Sequence, residues 1–269
     1  MTLRILDCTL RDGGYYNNWC FARDLAEDYL RAMAAAGVDI VEIGFRNFPQ
    51  ASFLGPYAYS TDAFLDTLAV PAGPALAVMV DAKALLGCGL APAAAVDALF
   101  QPRDRSRVEW VRIAAHLGEI ANCRALAARL RELGYRVGLN MMQAAGKPAG
   151  QITALAREVA AWDTVEVLYF ADSFGSMDGT EVERVVDALA AGWNGAIGIH
   201  THNNKSLAVR NTLAAIERGV SFLDATVTGM GRGPKNVSPA SGMAVELTYW
   251  FGRRPLMPTC PLGELGSCA

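Results

Sequence analysis

Eight short runs of apolar and β-branched residues punctuate the chain, with stretches of helical apolar spacing between them. The runs are LRILDCT (3–9), VDIVEIGF (38–45), ALAVMVD (75–81), VEWVRIAA (108–115), YRVGLNMMQ (135–143), VEVLYFAD (165–172), GAIGIHTH (195–202) and SFLDATVTG (221–229). Several are apolar almost throughout, the pattern of strands covered on both faces. Three of the intervening stretches stop at a glycine: FARDLAEDYLRAMAAAG at Gly37, CRALAARLRELG at Gly134 and SLAVRNTLAAIERG at Gly219. A glycine just past the last apolar turn is a helix C-terminal signal. Strand and helix alternating eight times predict an α/β protein, a single-domain (β/α)8 TIM barrel. A doubly wound open sheet is the alternative. Eight regular units, and no G-x-G-x-x-G turn after the first run, argue against it. The barrel is expected over residues 1–253, its eighth helix near SPASGMAVELTYWFG, with a Pro- and Gly-containing tail at 254–269.

With 269 residues, 52% of them hydrophobic, the chain can bury one large core. A net charge of −3 without a basic block excludes the footprint of a nucleic-acid binder. No run of about 18 apolar residues exists, so no membrane span is expected. The start, MTLRILDCT, lacks the features of a signal peptide. Cysteines 8, 20, 88, 123, 260 and 268 form no C-x-x-C pair and read as reduced, mostly packed thiols of a cytoplasmic protein.

In such a barrel, chemistry sits where strands end and βα loops begin. The first run ends in Arg11 and Asp12, followed by Gly13 and Gly14, which would allow a close turn that aims both side chains inward. The second run carries Glu42, placed to hold the Arg11 guanidinium, then Arg46. The fifth carries Asn140, the sixth leads to Ser173, and the eighth leads into the turn GMGRGPKN. Two of only three histidines, His200 and His202, stand at i and i+2 at the end of the seventh run. Residues so spaced on a strand share a face, and two imidazoles on one face can hold a divalent ion or simply form a hydrogen-bonded pair. In a closed barrel Asp12 comes close to them. Two histidines and a carboxylate leave open positions on an octahedral ion, which suits Mn or Mg better than a closed Zn site. Arg11 reads as a stabiliser of a developing enolate oxygen or as a carboxylate fork. Arg46, with Arg232 and Lys235 of the glycine turn, adds positive charge suited to an anionic substrate.

Together, LDCTLRDGG, VEIGF, ADSFGSM, HTHNN and GMGRGPKN resemble the motifs of the DRE-TIM metallolyases, over about residues 3 to 250. That superfamily includes pyruvate-type aldolases, hydroxymethylglutaryl-CoA lyases and isopropylmalate and homocitrate synthases. The resemblance implies that Asp12, His200 and His202 are the metal ligands and that Arg11 polarises the keto or enolate oxygen. It also implies that Ser173 meets the substrate carboxylate and that Asn236 shapes the metal site. The nearest subgroup resembles the 4-hydroxy-2-oxo acid aldolases, with two departures. Those enzymes carry a general-base histidine shortly after Arg-Asp-Gly, where this chain has Tyr15. They also carry a C-terminal region that docks a dehydrogenase, so no such partner is expected here.

Tyr15 and Tyr16 therefore become candidates, one facing the site and one packing under Trp19. A tyrosine hydroxyl near a cation can accept a proton, or only donate a hydrogen bond. The expected activity is metal-dependent cleavage of a 4-hydroxy-2-oxo acid, or addition of pyruvate enolate to an aldehyde. The alternatives are a Claisen-type condensation of an acyl-CoA with a 2-oxo acid, and a barrel that binds metal and ligand without catalysis. The expected partners are a small 2-oxo acid and an aldehyde or acyl acceptor, with a homodimer implied by resemblance.

Overall fold

The computed structural model describes residues 2–231. The eighth helix, the tail, Arg232, Lys235 and Asn236 lie outside the described residues. Eight parallel strands close into a barrel in sequence order. They are β1 (Arg4–Asp7), β2 (Ile40–Phe45), β3 (Ala75–Asp81), β4 (Val108–His116), β5 (Arg136–Met142), β6 (Val167–Asp172), β7 (Ala196–Thr201) and β8 (Phe222–Ala225). The pairing of β1 with β8, from Arg4 opposite Phe222 to Asp7 opposite Ala225, completes the circle. Nine described α-helices accompany them: α1 (Thr9–Asn17), α2 (Arg23–Ala36), α3 (Asp62–Leu65), α4 (Ala82–Leu86), α5 (Pro92–Leu99), α6 (Arg124–Glu132), α7 (Ala149–Ala160), α8 (Gly179–Ala190) and α9 (Ala208–Glu217). Gly37, Gly134 and Gly219 all take positive φ, at 73°, 93° and 95°, where the helical patterns stop.

Alternation along the strands sorts the side chains into layers. Outward positions such as Val41, Val78, Val111, Leu139, Phe170 and Ile199 join the large core between strands and helices. Inward positions Leu6, Ile40, Trp110, Tyr169 and Phe222 form a separate apolar floor inside the barrel. Tyr169 can lie across that interior because Gly198 on β7 has no side chain. A Cβ there would stand 2.2 Å from the Tyr169 ring. The Arg112 guanidinium stacks over the same ring at 4.6 Å. Charged side chains thus rest directly on an aromatic floor.

The first βα connection differs from expectation. β1 ends at Asp7, and Arg11, Asp12, Gly13 and Gly14 all belong to α1 rather than to a turn. Two glycines cost helix propensity, but the close packing needs one of them. A Cβ on Gly14 would fall 1.9 Å from Cδ1 of Trp19, and Trp19 Nε1 donates to the Arg11 carbonyl at 2.8 Å. The helix start is tied down as well. Asp7 Oδ1 accepts from Thr9 N at 2.8 Å, and Thr9 Oγ1 accepts from Val227 N at 2.7 Å.

Candidate active site

The C-terminal mouth of the barrel opens into a cavity of about 670 Å³. Arg11, Asp12, Tyr15, Asn140, Ser173, His200 and His202 all line it. These residues come from α1 and from the ends of β5, β6 and β7, elements far apart in sequence that barrel closure brings together.

Beneath the cavity runs a belt of alternating charge. Arg11 bonds Asp12 through Nη1, and its Nε donates to Glu42 Oε2 at 2.7 Å. Arg112 donates to both Glu42 oxygens, at 2.7 and 2.8 Å, and to Asp224 Oδ2 at 2.7 Å. Asp224 Oδ2 also meets His200 Nδ1 at 2.8 Å, and His200 Nε2 lies 3.6 Å from Asp12 Oδ2. The circuit is closed and every member is buried. Burial opposes charge on Arg11, yet Asp12 and Glu42 outweigh it and push its pKa up. Burial likewise opposes charge on Asp224, but Arg112 and the His200 hydrogen bond hold its carboxyl below the usual range.

The belt sets the histidine tautomers. An ionised Asp224 can only accept, so His200 Nδ1 carries a proton, and Nε2, 3.6 Å from Asp12 Oδ2, is the nitrogen turned toward the cavity. His202 Nδ1 stands 2.8 Å from the Asp172 carbonyl, which also can only accept. Burial, with His200 close by, lowers the His202 pKa to about 4, so the ring is neutral at physiological pH. A carboxylate and two imidazoles on one cavity, both rings bonded through Nδ1 to an outer oxygen, form a donor set of the kind a divalent ion takes. Buried Asn140 Oδ1 lines the same cavity and has no hydrogen-bond partner among the described residues. It is an oxygen available to a ligand. The ligand atoms that lie within 4.8 Å of one another are those of Cys8, Asp12 and His200, while His202 lines the same cavity with its ring centroid 4.9 Å from that of His200. Burial and the adjacent Asp12 charge raise the Cys8 pKa well above the ordinary thiol value. Its S–H donates to Asp12 Oδ2 at 3.3 Å, so it supports Asp12 from below.

Two expected substrate contacts need correction. Arg46 points away from the mouth. Its guanidinium donates to the Ser60 carbonyl and to Asp62 of α3 and packs over Phe100. Only 2% of Arg46 is exposed, so its charge is consumed structurally. Tyr16 is also turned from the cavity, and its hydroxyl donates to the Gly231 carbonyl at 2.6 Å. Successive helical residues point about 100° apart, so Tyr15 and Tyr16 cannot both face the mouth. Tyr15 lines the cavity, with its ring edge-on to Trp19 at 4.7 Å. Glu42 accepts from two guanidiniums, those of Arg11 and Arg112, and is not among the residues lining the cavity. Ser173 Oγ accepts from Gln143 N at 3.0 Å, leaving its proton to donate. Sequence reasoning passed over Arg112, Asp224, Cys8 and His116. The signal for the first two was a charge within an apolar strand, in phase with inward residues.

The HMGL-like family profile matches residues 2–248. A 4-hydroxy-2-oxovalerate aldolase of Salinispora arenicola is 33% identical, across 91% of this chain and 68% of its own. An oxaloacetate decarboxylase of Mycobacterium tuberculosis is 29% identical, across 86% of this chain and 66% of its own. The chain therefore spans about two thirds of the length of these curated relatives. Among solved structures, the N-terminal domain of a Bacteroides vulgatus protein described as an aldolase superposes with a TM-score of 0.76 at 28% identity. That match covers 94% of this chain and 80% of the other.

Proposed function

The chain belongs to the HMGL-like family, and from that premise we propose that it is a divalent-metal-dependent carbon–carbon lyase acting on 2-oxo acids. The observation that carries this reading is the meeting of Arg11, Asp12, His200 and His202 in one cavity at the C-terminal mouth. We assign Asp12, His200 and His202 as ligands of Mn or Mg. Such an ion, when bound, supplies Lewis-acid polarisation of a keto oxygen.

The chain's own groups do the rest. Arg11, fixed by Asp12 and Glu42, presents a guanidinium that costs no reorganisation when an oxyanion develops. Ser173 Oγ–H donates to the substrate carboxylate, and Asn140 Oδ1 accepts from a substrate hydroxyl. Phe45, Met79 and Ala114 form an apolar upper wall that excludes water from one side. In the cleavage direction a 4-hydroxy-2-oxo acid loses its hydroxyl proton. The C3–C4 electron pair passes into an enolate, and an aldehyde leaves. A 3-carboxylated 2-oxo acid reaches the same enolate by losing carbon dioxide. The relatives named for aldol cleavage and for decarboxylation are thus two entries to one intermediate.

The test is NMR of pyruvate in D2O with the Mn-loaded protein, beside Asp12→Asn. Metal-dependent deuterium uptake at the methyl group, lost in the variant, is the expected result. No uptake with Mn demonstrably bound would remove pyruvate enolate from the scheme.

A further inference from the structure

Both reactions above share an enolate, but only aldol cleavage requires a base for a hydroxyl proton. We propose that His116 is that base, an inference that rests on the lyase reading. The chain has three histidines. The other two have their Nδ1 atoms committed to Asp224 and the Asp172 carbonyl. His116 lines the same cavity as Arg11, Asp12, His200 and His202.

Its placement follows from strand phase. Trp110, Arg112, Ala114 and His116 alternate inward along β4. Trp110 lies in the floor, Arg112 in the charged belt, and Ala114 and His116 in the cavity wall. Strand rise puts His116 about 13 Å along β4 from Arg112. Ala114, between them, contributes only a methyl group, so space is left between the belt and the imidazole. A substrate whose keto oxygen faces Arg11 would direct its far end, where C4 lies, toward the upper wall.

The mount is rigid. His116 N donates to Glu119 Oε2 at 2.9 Å, and Glu119 N donates back to the His116 carbonyl at 2.8 Å. A tight, reciprocally bonded turn thus holds the strand end, which is a more exact support than a loop. Ionisable groups around it are Asp81 at the end of β3, Glu119 in its own turn, and Arg11, Asp12, His200 and His202 across the cavity. Tyr15 is the competing base. Imidazole is the side chain most often used as a general base, and the Tyr15 ring is packed edge-on against Trp19 and Phe45.

The step balances without an added reagent. The C4 hydroxyl proton passes to His116, the C3–C4 bond breaks, its electron pair enters the enolate, and the aldehyde departs. Solvent then protonates the enolate carbon to give the 2-oxo acid and takes the proton from His116, which returns to its neutral form. Decarboxylation of oxaloacetate needs no such base, because carbon dioxide rather than an aldehyde leaves and solvent supplies the proton to the enolate carbon.

The experiment measures kcat for cleavage of 4-hydroxy-2-oxovalerate and for decarboxylation of oxaloacetate with Mn-loaded wild type, His116→Gln and Tyr15→Phe. His116→Gln is expected to lower cleavage about 100-fold or more while leaving decarboxylation within about threefold. Retained decarboxylation shows in the same sample that the fold and ion site survive. His116→Ala should recover part of its cleavage activity in added imidazole. Equal loss of both reactions, unchanged cleavage, or a selective loss in Tyr15→Phe instead overturns the assignment. Wild type that decarboxylates but does not cleave also overturns it and leaves the enolate reading standing. Wild type inactive on both overturns the two together.

Discussion

Replacing Asp224 by asparagine isolates the outer support of the proposed ion site. Asp224 Oδ2 accepts from Arg112 at 2.7 Å and meets His200 Nδ1 at 2.8 Å. The amide removes the charge and can turn an N–H toward His200, favouring the wrong tautomer. Loss of such an outer oxygen typically weakens metal affinity about 10- to 100-fold, roughly 1.4 to 2.7 kcal/mol. The fold should survive, because Arg112 keeps its two hydrogen bonds to Glu42. The lost charge-assisted bond should cost about 1.5 to 3 kcal/mol of stability. Mn affinity is read from the free-ion EPR signal, and stability from urea unfolding without metal. With His200→Ala as background, Asp224→Asn should have little further effect on Mn, because its action passes through that ring. Wild-type Mn affinity in Asp224→Asn, or an undiminished effect in the His200→Ala background, would refute the reasoning.

Gly14→Ala should destabilise by about 1 to 3 kcal/mol, since its Cβ would lie 1.9 Å from the Trp19 ring. Urea midpoints equal to wild type would show that the packing at α1 is looser than described. Burial raises the Asp7 carboxyl from 3.8 to about 6, against hydrogen bonds from Tyr29 and Thr9. The folded state then keeps a proton that the unfolded chain releases. Asp7 therefore contributes stability in full below about pH 4 and loses it as pH rises through about 6, by up to about 3 kcal/mol. Relative to Asp7→Asn, wild-type stability should fall across that window, and a flat difference between the two urea series would contradict the shift.

The barrel was legible because its signals are local: continuous apolar runs, helical spacing, and glycines where helices stop. His200 and His202 were legible because i, i+2 spacing on a strand fixes a shared face. The belt was not, because Glu42 and Arg112 are 70 residues apart, and Arg112 and Asp224 are 112 apart. Nothing local in VEWVRIAA says which carboxylates its arginine meets. The glycine pair misled for a related reason. Intrinsic propensity favours a turn, but Trp19 packing against Gly14 makes it part of a helix. Arg46 shows the limit of counting charges near a mouth, since α3 supplied Asp62 to take it up.

The closed charge belt also bears on how this sequence can change over time. Six residues from α1, β2, β4, β7 and β8 each answer to two neighbours, so a single replacement leaves the residue on either side with one partner instead of two. Losing one charge-assisted bond in this way costs about 1.5 to 3 kcal/mol, a sizeable share of the stability of a typical domain. Drift through one position at a time is therefore slowed. Substitutions in the belt are favoured in compensating sets, and the floor below, where Tyr169 fits against Gly198, is constrained as well. Change at the rim of the barrel disturbs fewer buried charges than change in the circuit on which the rim stands.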